Sequence, residues 1–533
     1  MSSKIKDIQI KTALISVSNK EGIVELCKIL TNLYNIKIIS TGGTYALLKQ
    51  NGIEAIEISE YTNSPEMMDG RVKTLHPKIH AGLLCDVSNE EHTSQLINQN
   101  FSKIDLVVVN LYPFYQTVLK TNNEAEIIEN IDIGGPSMVR SAAKNFAATT
   151  VITDPSDYTL FAAELEQNKG STSYEFRKLC AKKAFLQTAH YDAVISSYLI
   201  KDDILFNYKQ IAIPIELKQS LRYGENPQQE AAFYQIPLID SLNNFKQIQG
   251  KELSYNNIND AVAACEAISH FRENAICIVK HTNPCCFASG NLSGINLYLK
   301  ALKNGDSISA FGGIVAINSL IDSELANELS KVFFEIIICQ NITDDAISIL
   351  SKKKNLRILI NKSFNQNDSN IKSIFNSKTI KIDAGIALVQ TNDNYEVDLN
   401  NLHVVSGSFN DKQKNDILFS IKLVKFFKSN AVCITNDSSF IAGGFGQTSR
   451  IDSVNIACKK ALEKIASLNI LAKDLILASD AFFPFVDNIE VITSYGIKNI
   501  VAPMGSVRDS EIIEKAKECN LNLAFVPNRF FRH

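Results

Sequence analysis

A lysine and a histidine stand side by side where an apolar run ends, in the segment AICIVKHTNPCC at residues 275–286. The run Ile276–Val279 reads as a buried strand. In a continuing strand, Lys280 and His281 would point to opposite faces. Pro284 holds Asn283 extended and removes a ladder donor, so the ladder is expected to end at Val279. The following loop could then aim both side chains into one crevice. Strand C-termini are where open α/β sheets hold ligands. The pair reads as a general base beside an electrostatic stabiliser. A satisfied histidine next to a surface lysine is the plainer reading, and both stand open at this point.

Three further stretches could hold an anion. STGGT, Ser40 to Thr44, follows a strand and opens a helix, where glycines and free amides suit phosphate. It could equally be a simple turn. GRVKTLHPKIHAG offers Arg71, Lys73, His76, Lys78 and His80 within a few residues, either a solvated loop or a phosphate clamp. ENIDIGGPSMVRSAAKN, residues 129–145, is read as a tight strand-to-helix turn. Its helix runs from Pro136 and puts Arg140 and Lys144 on one face. An anion between them or a plain exposed face both fit. HTNPCC superficially suggests metal ligands. Adjacent Cys285 and Cys286 cannot reproduce the His-x-Glu and Pro-Cys-x-x-Cys spacing of zinc deaminases, so no catalytic metal is expected. GGFGQT lacks a complete GxGxxG, so a nicotinamide cofactor is not expected either.

These groups need a scaffold to bring them together. TALISVS, IKIIST, IEAIEIS and IDLVVVNLYPF read as strands, with helices between them. Ser18, with Glu21 three residues on, reads as a capping box opening a helix with Leu26, Ile29, Leu30 and Leu33 on its apolar face. That alternation predicts a parallel, doubly wound sheet covered on both faces. The pattern weakens over 201–219, where Pro214 interrupts it, so domains of 1–200 and 201–533 are expected. The second is again α/β with mixed sheets, from runs such as NAVCITND, SFIAGGFGQ and NIVAPMGS. Residues 361–380 are polar and expected as a surface excursion. No repeat occurs at solenoid periods.

The 533 residues exceed one core. A formal net charge of -3 without a basic stripe argues against nucleic acid. No apolar stretch is long enough to span a bilayer, and no signal peptide is read at the start. The 11 cysteines lie mostly in apolar runs, as expected of reduced residues in a cytoplasmic protein.

In this order, SVSNKEG, STGGT, GRVKTLHPKIHAG, NLYPF, ENIDIGGPSMVRSAAKN, LRYGENPQQ, VKHTNPC, SAFGG, GFGQTSR and ASDAFFPF make a specific set. Over essentially its whole length the chain resembles the family that fuses AICAR formyltransferase to IMP cyclohydrolase. The resemblance implies a methylglyoxal-synthase-like first domain and a transformylase built of cytidine-deaminase-like units without zinc. It implies AICAR, formyl-AICAR and 10-formyltetrahydrofolate as small-molecule substrates. It also implies no tightly bound cofactor, a monovalent cation as an optional ligand, and a homodimer with shared transformylase sites. By the same resemblance, His281 takes the proton of the AICAR amine, and Lys280 stabilises charge or protonates the leaving nitrogen. Arg222, Tyr223, Asn257, Gly312, Glu335, Asn430, Arg450, Phe482, Asp487, Arg529 and His533 line that site. In the cyclohydrolase, Ser18, Lys20, Thr41, Gly43, Thr44, Arg71, Lys73, Thr74 and Gly134 hold phosphate and ribose or stabilise an oxyanion. Tyr112, Asp132 and Lys144 move protons, with Lys73 also counted as catalytic.

Two departures from the family pattern are visible. Cys286 stands where the family usually has glycine, which would strain the loop if that position needed positive φ. IIICQN, residues 336–341, replaces a segment usually containing Ala-Pro. Two other functions remain open on the residues: a zinc deaminase-like enzyme, which a metal assay would decide, and a non-catalytic nucleotide sensor, which a coupled assay would decide.

Overall fold

The strand-forming runs of the first 150 residues pair in parallel. The computed structural model describes residues 7–239, 245–362 and 378–533. Of the excursion expected at 361–380, residues 363–377 lie outside the described residues. Two units emerge. Among the described residues, one holds 7–216 and 235–239, and the other holds 217–234, 245–362 and 378–533. The first runs past residue 200 to Glu216, whose carboxylate meets His190 Nε2 at 2.9 Å on the long helix Tyr174–Leu199.

In the first unit the sheet order is Ile56–Glu57, Lys37–Ser40, Thr12–Val17, Leu106–Asn110, Thr150–Ile152. All neighbours are parallel. Both faces of the central strands are buried, through Leu14, Ile15, Leu106 and Val107, as a doubly wound sheet requires. Helices Ile23–Tyr34 and Gly134–Lys144 contribute Leu26, Leu30, Met138 and Val139 to this core. Strand order reverses between Thr12–Val17 and Leu106–Asn110, so a crevice is expected beyond Val17 and Asn110, which pair in register.

Several local expectations need correction here. Ser18 does not cap a helix. Asn110 Oδ1 accepts the amides of Ser18 and Asn19, and the helix begins at Ile23 after a left-handed Gly22. Leu33 is exposed rather than part of the apolar face. The run at 53–59 gives only a two-residue strand before the short helix Ile58–Thr62. IDIGG joins two helices, Glu124–Glu129 and Gly134–Lys144, not a strand to a helix.

The second unit carries one mixed sheet of 12 strands. Its centre is the pair Asn283–Ser289 and Ser439–Gly444. Outward from each runs an antiparallel partner, Ala275–Lys280 on one side and Val432–Asn436 on the other. Beyond each lie parallel strands, Ile314–Ile321, Ile336–Ile342 and Arg357–Ile360 against Ile476–Ser479, Asn499–Pro503 and Asn522–Val526. The two halves match in detail. Helix Tyr255–Ser269 starts with a capping box between Ser254 and Asn257, and helix Asp411–Val424 with one between Asn410 and Gln413. Asp260 accepts the turn amides of His281 and Thr282, and Asp416 accepts those of Asp437 and Ser438. All four turn residues are left-handed, with φ from 50 to 61°. The matched positions keep one constant offset: 254 and 410, 260 and 416, 281 and 437. The unit is an internal duplication whose spacing far exceeds solenoid periods.

The ladder at the opening segment therefore does not stop at Val279. Lys280 pairs with Asn283 across a two-residue hairpin turn, and both neighbours of this strand are antiparallel. The turn is the mirror-image type that matches strand twist. Pro284 is tolerated because the register slips between Ile278 and Val279. Cys285 sits in that bulge, which lets Cys285 and Cys286 face the same core. Cys286 is in an extended strand and fully buried, so the feared strain at positive φ is absent. The IIICQN departure forms a central strand, with Ile336 to Cys339 buried in the core.

Candidate active sites

In the first unit the expected residues converge on the crevice at the strand ends. Lys20 Nζ donates to the Val17 carbonyl and, at 3.0 Å, to Thr44 Oγ1. Thr44 Oγ1 also donates to Val17 O at 3.1 Å. Thr41 Oγ1 meets Ser16 Oγ at 2.6 Å. Thr41 is the N-cap of helix Gly42–Gln50, so Gly42 and Gly43 present helix-start amides, while the Thr44 amide donates to Thr41 O at 3.0 Å. Burial lowers the affinity of Lys20 for its proton.

Lys73 reaches this loop. A Cβ on Gly42, whose φ is +38°, would stand 3.3 Å from Lys73 Nζ. Lys73 also lies 3.5 Å from Glu66. Its neighbour Thr74 is buried, with Oγ1 against the Cα of Gly134, where any side chain would collide. Glycine at 134 is thus required by close approach. Asp132 Oδ1 accepts the Gly135 amide at 2.8 Å. Burial pushes the Asp132 carboxyl up, against the pull of the Gly135 and Tyr112 amides. Burial and the nearby Asp132, Glu129 and Glu66 charges push the Tyr112 phenol up. Lys73, Thr74, Tyr112, Asp132 and Gly134 are therefore one connected group with the Gly42–Thr44 loop.

Two members stand apart. Arg71 forms an exposed ion pair with Glu129. Lys144 is exposed at the last turn of Gly134–Lys144, about 15 Å along the axis from Gly134 at 1.5 Å per residue. The anion clamp between Arg140 and Lys144 is not formed. Arg140 stacks on the Phe185 ring instead, at 5.5 Å. Sequence reasoning missed Tyr191, whose hydroxyl accepts the Asp132 amide at 2.9 Å and donates to Asn130 O at 3.2 Å. It also left His80 unassigned, though Nδ1 lies 3.0 Å from Ser141 Oγ and Nε2 is buried without a partner among the described residues. Burial lowers the His80 pKa.

The second unit holds two groups. In the first half, Lys280 Nζ donates to Phe311 O at 2.6 Å. It would stand 3.2 Å from a Cβ on Gly312, whose φ is +70°. His281 projects exposed from the clamped turn. Asn257 is buried and donates to Glu335 Oε2 at 2.8 Å. Asn283 Nδ2 donates to His281 O at 2.8 Å, while its Oδ1 is a buried acceptor with no partner among the described residues. Asp260, one helical turn from Asn257, fixes the hairpin and was missed, because its partners lie 21 and 22 residues downstream. Burial pushes its carboxyl up, opposed by the Thr282 and His281 amides.

In the other half, Asn430 Oδ1 accepts from Arg450 at 2.7 Å. Arg450 is buried and ion-paired with the fully buried Asp480. Ser429 donates to the same carboxylate and also accepts the Arg532 amide at 3.2 Å, tying in the C-terminal segment. Phe482 is half-buried, Asp487 opens its helix and accepts the Asn488 amide at 2.7 Å, and Arg529 and His533 flank the exposed Phe531. Arg222 lies over the Tyr223 ring at 5.6 Å. Among the described residues, Arg222, Tyr223, Phe482, Asp487, Arg529 and His533 form no hydrogen bond or ion pair with the Lys280 group.

A family model described as AICARFT/IMPCHase bienzyme matches residues 142–460, and one described as MGS-like domain matches 22–137. The chain is 46% identical over 526 residues to "Bifunctional purine biosynthesis protein PurH" of Thermoanaerobacter sp. (strain X514), covering 98% of this chain and 100% of that protein. A protein of the same name from Caldicellulosiruptor saccharolyticus is 44% identical over 532 residues, again with 98% and 100% coverage. One from Lactococcus lactis subsp. lactis is 44% identical over 528 residues at the same coverage. Matched along 98% of its length by these relatives, the chain belongs to the AICARFT/IMPCHase bienzyme family.

Proposed function

We propose that the two activities of this bifunctional purine biosynthesis enzyme are divided between the units, with ring closure in the first and formyl transfer in the second. The enzyme is an AICAR formyltransferase and IMP cyclohydrolase. The reading rests above all on the Asp260-clamped turn, which presents an exposed His281 beside Lys280. The AICAR 5-amino nitrogen attacks the formyl carbon of 10-formyltetrahydrofolate. His281 takes the nitrogen's proton, and the C–N10 bond breaks to leave tetrahydrofolate. Lys280, held by Phe311 O near Gly312, supplies a cation for the developing charge or a proton for N10. Asn257 and Glu335, together with Asn430 and Arg450, position substrate. Arg222, Tyr223, Phe482, Asp487, Arg529 and His533 complete this set.

In the first unit the carboxamide nitrogen attacks the new formyl carbon and water is lost. An intramolecular attack needs orientation most. The Gly42 and Gly43 amides, Ser18, Lys20, Thr41, Thr44, Arg71 and Thr74 hold the phosphate and ribose. Lys73 faces the developing oxyanion, while Asp132 and Tyr112 move protons. Lys144 enters this role through its match to the family pattern.

The decisive assay supplies AICAR and 10-formyltetrahydrofolate and follows formyl-AICAR and IMP. Lys73→Ala should make formyl-AICAR accumulate, with ring closure slowed by roughly 10²–10³, the usual loss for one oxyanion donor. A variant that closes supplied formyl-AICAR at the wild-type rate removes Lys73 from this role.

The protein is further proposed to act as a homodimer with shared transformylase sites in the cytoplasm. The hairpin Lys378–Thr391 supports an interface, since Ile382, Ile386 and Leu388 are all more than 60% exposed. Sedimentation should give a dimer. A fully active monomer at working concentration would end that part of the reading. No helix among the described residues is long and apolar enough to cross a membrane.

A further inference from the structure

Arg71 and Lys73, the two cations of the first crevice that come from one loop, both meet carboxylates of their own chain. Lys73 Nζ stands 3.5 Å from Glu66. Glu129 holds Arg71 as a fork, with Nε donating to Oε1 at 3.2 Å and Nη2 donating to Oε2. Glu66 reaches Lys73 because the chain folds back between them. Met68, Asp69 and Gly70 are all left-handed, with φ of 53, 51 and 84°. The Gly70 and Arg71 amides donate to Met67 O and Met68 O, each at 3.1 Å. Met68 and Asp69 are not glycine, and such conformations persist only where surrounding contacts compensate. Met67 and Met68 are 50% and 68% exposed and bury little that would anchor the turn. The Glu66 carboxylate does anchor it. Oε1 packs so closely on Gly70 that a Cβ there would collide, and the same Cβ position is 3.3 Å from Lys73 Nζ. Glu129 arrives separately, at the end of helix Glu124–Glu129. Burial, and then the Asp132, Glu129 and Glu66 charges, push the Tyr112 phenol up. Both carboxylates therefore lie within electrostatic reach of the group that moves protons.

The charges balance. A phosphate monoester carries about 1.5 to 2 negative charges at neutral pH. Arg71 and Lys73 offer two positive ones, and Glu66 and Glu129 already meet both. A nucleotide that uses these cations must displace two carboxylates, which can take the cations back as product leaves. Resting on the assignment of the formyl-AICAR nucleotide to this crevice, we propose that Glu66 and Glu129 are internal competitors of the nucleotide. They are positioning residues that hold Lys73 and Arg71 in place, weaken nucleotide binding and favour release of IMP.

The test is calorimetric binding of IMP to the full-length protein, as wild type, Glu66→Gln, Glu129→Gln and the double variant. Glutamine keeps the shape and removes the charge. Both side chains are 53% exposed, so neither change unfolds the unit. Each single variant should bind IMP about threefold more tightly and the double variant about tenfold, the scale of one and two exposed ion pairs. KM for formyl-AICAR in ring closure should fall by the same factors, with formyl transfer unchanged. In a Lys73→Ala background, Glu66→Gln should have no effect, because the cation it competes for is gone. A role confined to the shape of the turn would still show there. Weaker IMP binding by Glu66→Gln would make Glu66 a ligand of the nucleotide and overturn the proposal. Unchanged binding by the double variant overturns it as well, and so does a Glu66→Gln effect that survives without Lys73. Arg71→Ala and Lys73→Ala separate it from the assignment beneath. If neither weakens IMP binding, the nucleotide lies elsewhere and both readings fall. If they weaken it while the glutamines change nothing, this proposal alone is lost.

Discussion

His281→Asn should slow formyl transfer to AICAR by roughly 10²–10⁴, the range a positioned general base supplies. Cyclisation of supplied formyl-AICAR should continue at its normal rate. Asparagine is the better probe than alanine because His281 sits at φ 52°, a left-handed conformation that asparagine tolerates. The substitution also leaves the backbone amide that Asp260 holds. A loss of rate is then a loss of the imidazole, not of the turn. The measurement is a single-turnover formyl transfer with product separation, run beside a cyclohydrolase assay on the same preparation. Equal loss of both activities in a folded variant would defeat the division of the reactions between units. An unchanged transfer rate would assign the proton to another group.

Asp480→Ala should destabilise the second unit by about 3–5 kcal/mol, the usual effect of stripping one partner from a buried ion pair. Asp480 is fully buried, and Arg450 is only 7% exposed. Once the carboxylate is gone, the guanidinium keeps Ser479 Oγ and Asn430 Oδ1 but has no opposing charge. The Ser429 hydroxyl loses its acceptor too. Urea unfolding of the purified variant should show the fall in midpoint. Asp480→Asn, which keeps shape and one acceptor, should fall between the two. A change under about 1 kcal/mol for the alanine variant would mean that Arg450 finds water or another partner, and that the pair is not a closed one. The same geometry holds the Arg450 guanidinium fixed between Asn430 and Asp480.

How much of this could be read from residues alone depended on the range of the contact. TALISVS, IKIIST, IDLVVVN and NAVCITN are strands because their own side chains bury on both faces. Ser18 misled because its pattern is local while its partner, Asn110, is 92 positions away. The hairpin at His281 and Thr282 was hidden for a similar reason. Mirror-image turns usually advertise themselves with Asn-Gly or Asp-Gly. Here two ordinary residues take left-handed φ because a distant aspartate grips both amides. The crevice of the first unit was legible as STGGT and GRVKTLHPKIHAG, but only as alternatives. The contact of Thr74 with Gly134, and of Lys73 with the Gly42 loop, joins segments that no spacing rule connects. Arg140 looked like an anion ligand until Phe185, on another helix, took its guanidinium.

The paired hairpins of the second unit bear on stoichiometry. The frame is two-fold, yet its turns are not equivalent in content. One presents Lys280 and His281. At the matched positions the other presents Asn436 and Asp437, and the Asp437 carboxylate is occupied by Lys300 at 2.8 Å and Lys412 at 3.4 Å. The retained clamp, Asp416, keeps the second turn in shape without any reactive group to aim. A twinned scaffold thus carries the lysine-histidine pair on one of its two turns only, while the other turn spends its charge on an ion-pair cluster that buttresses the frame.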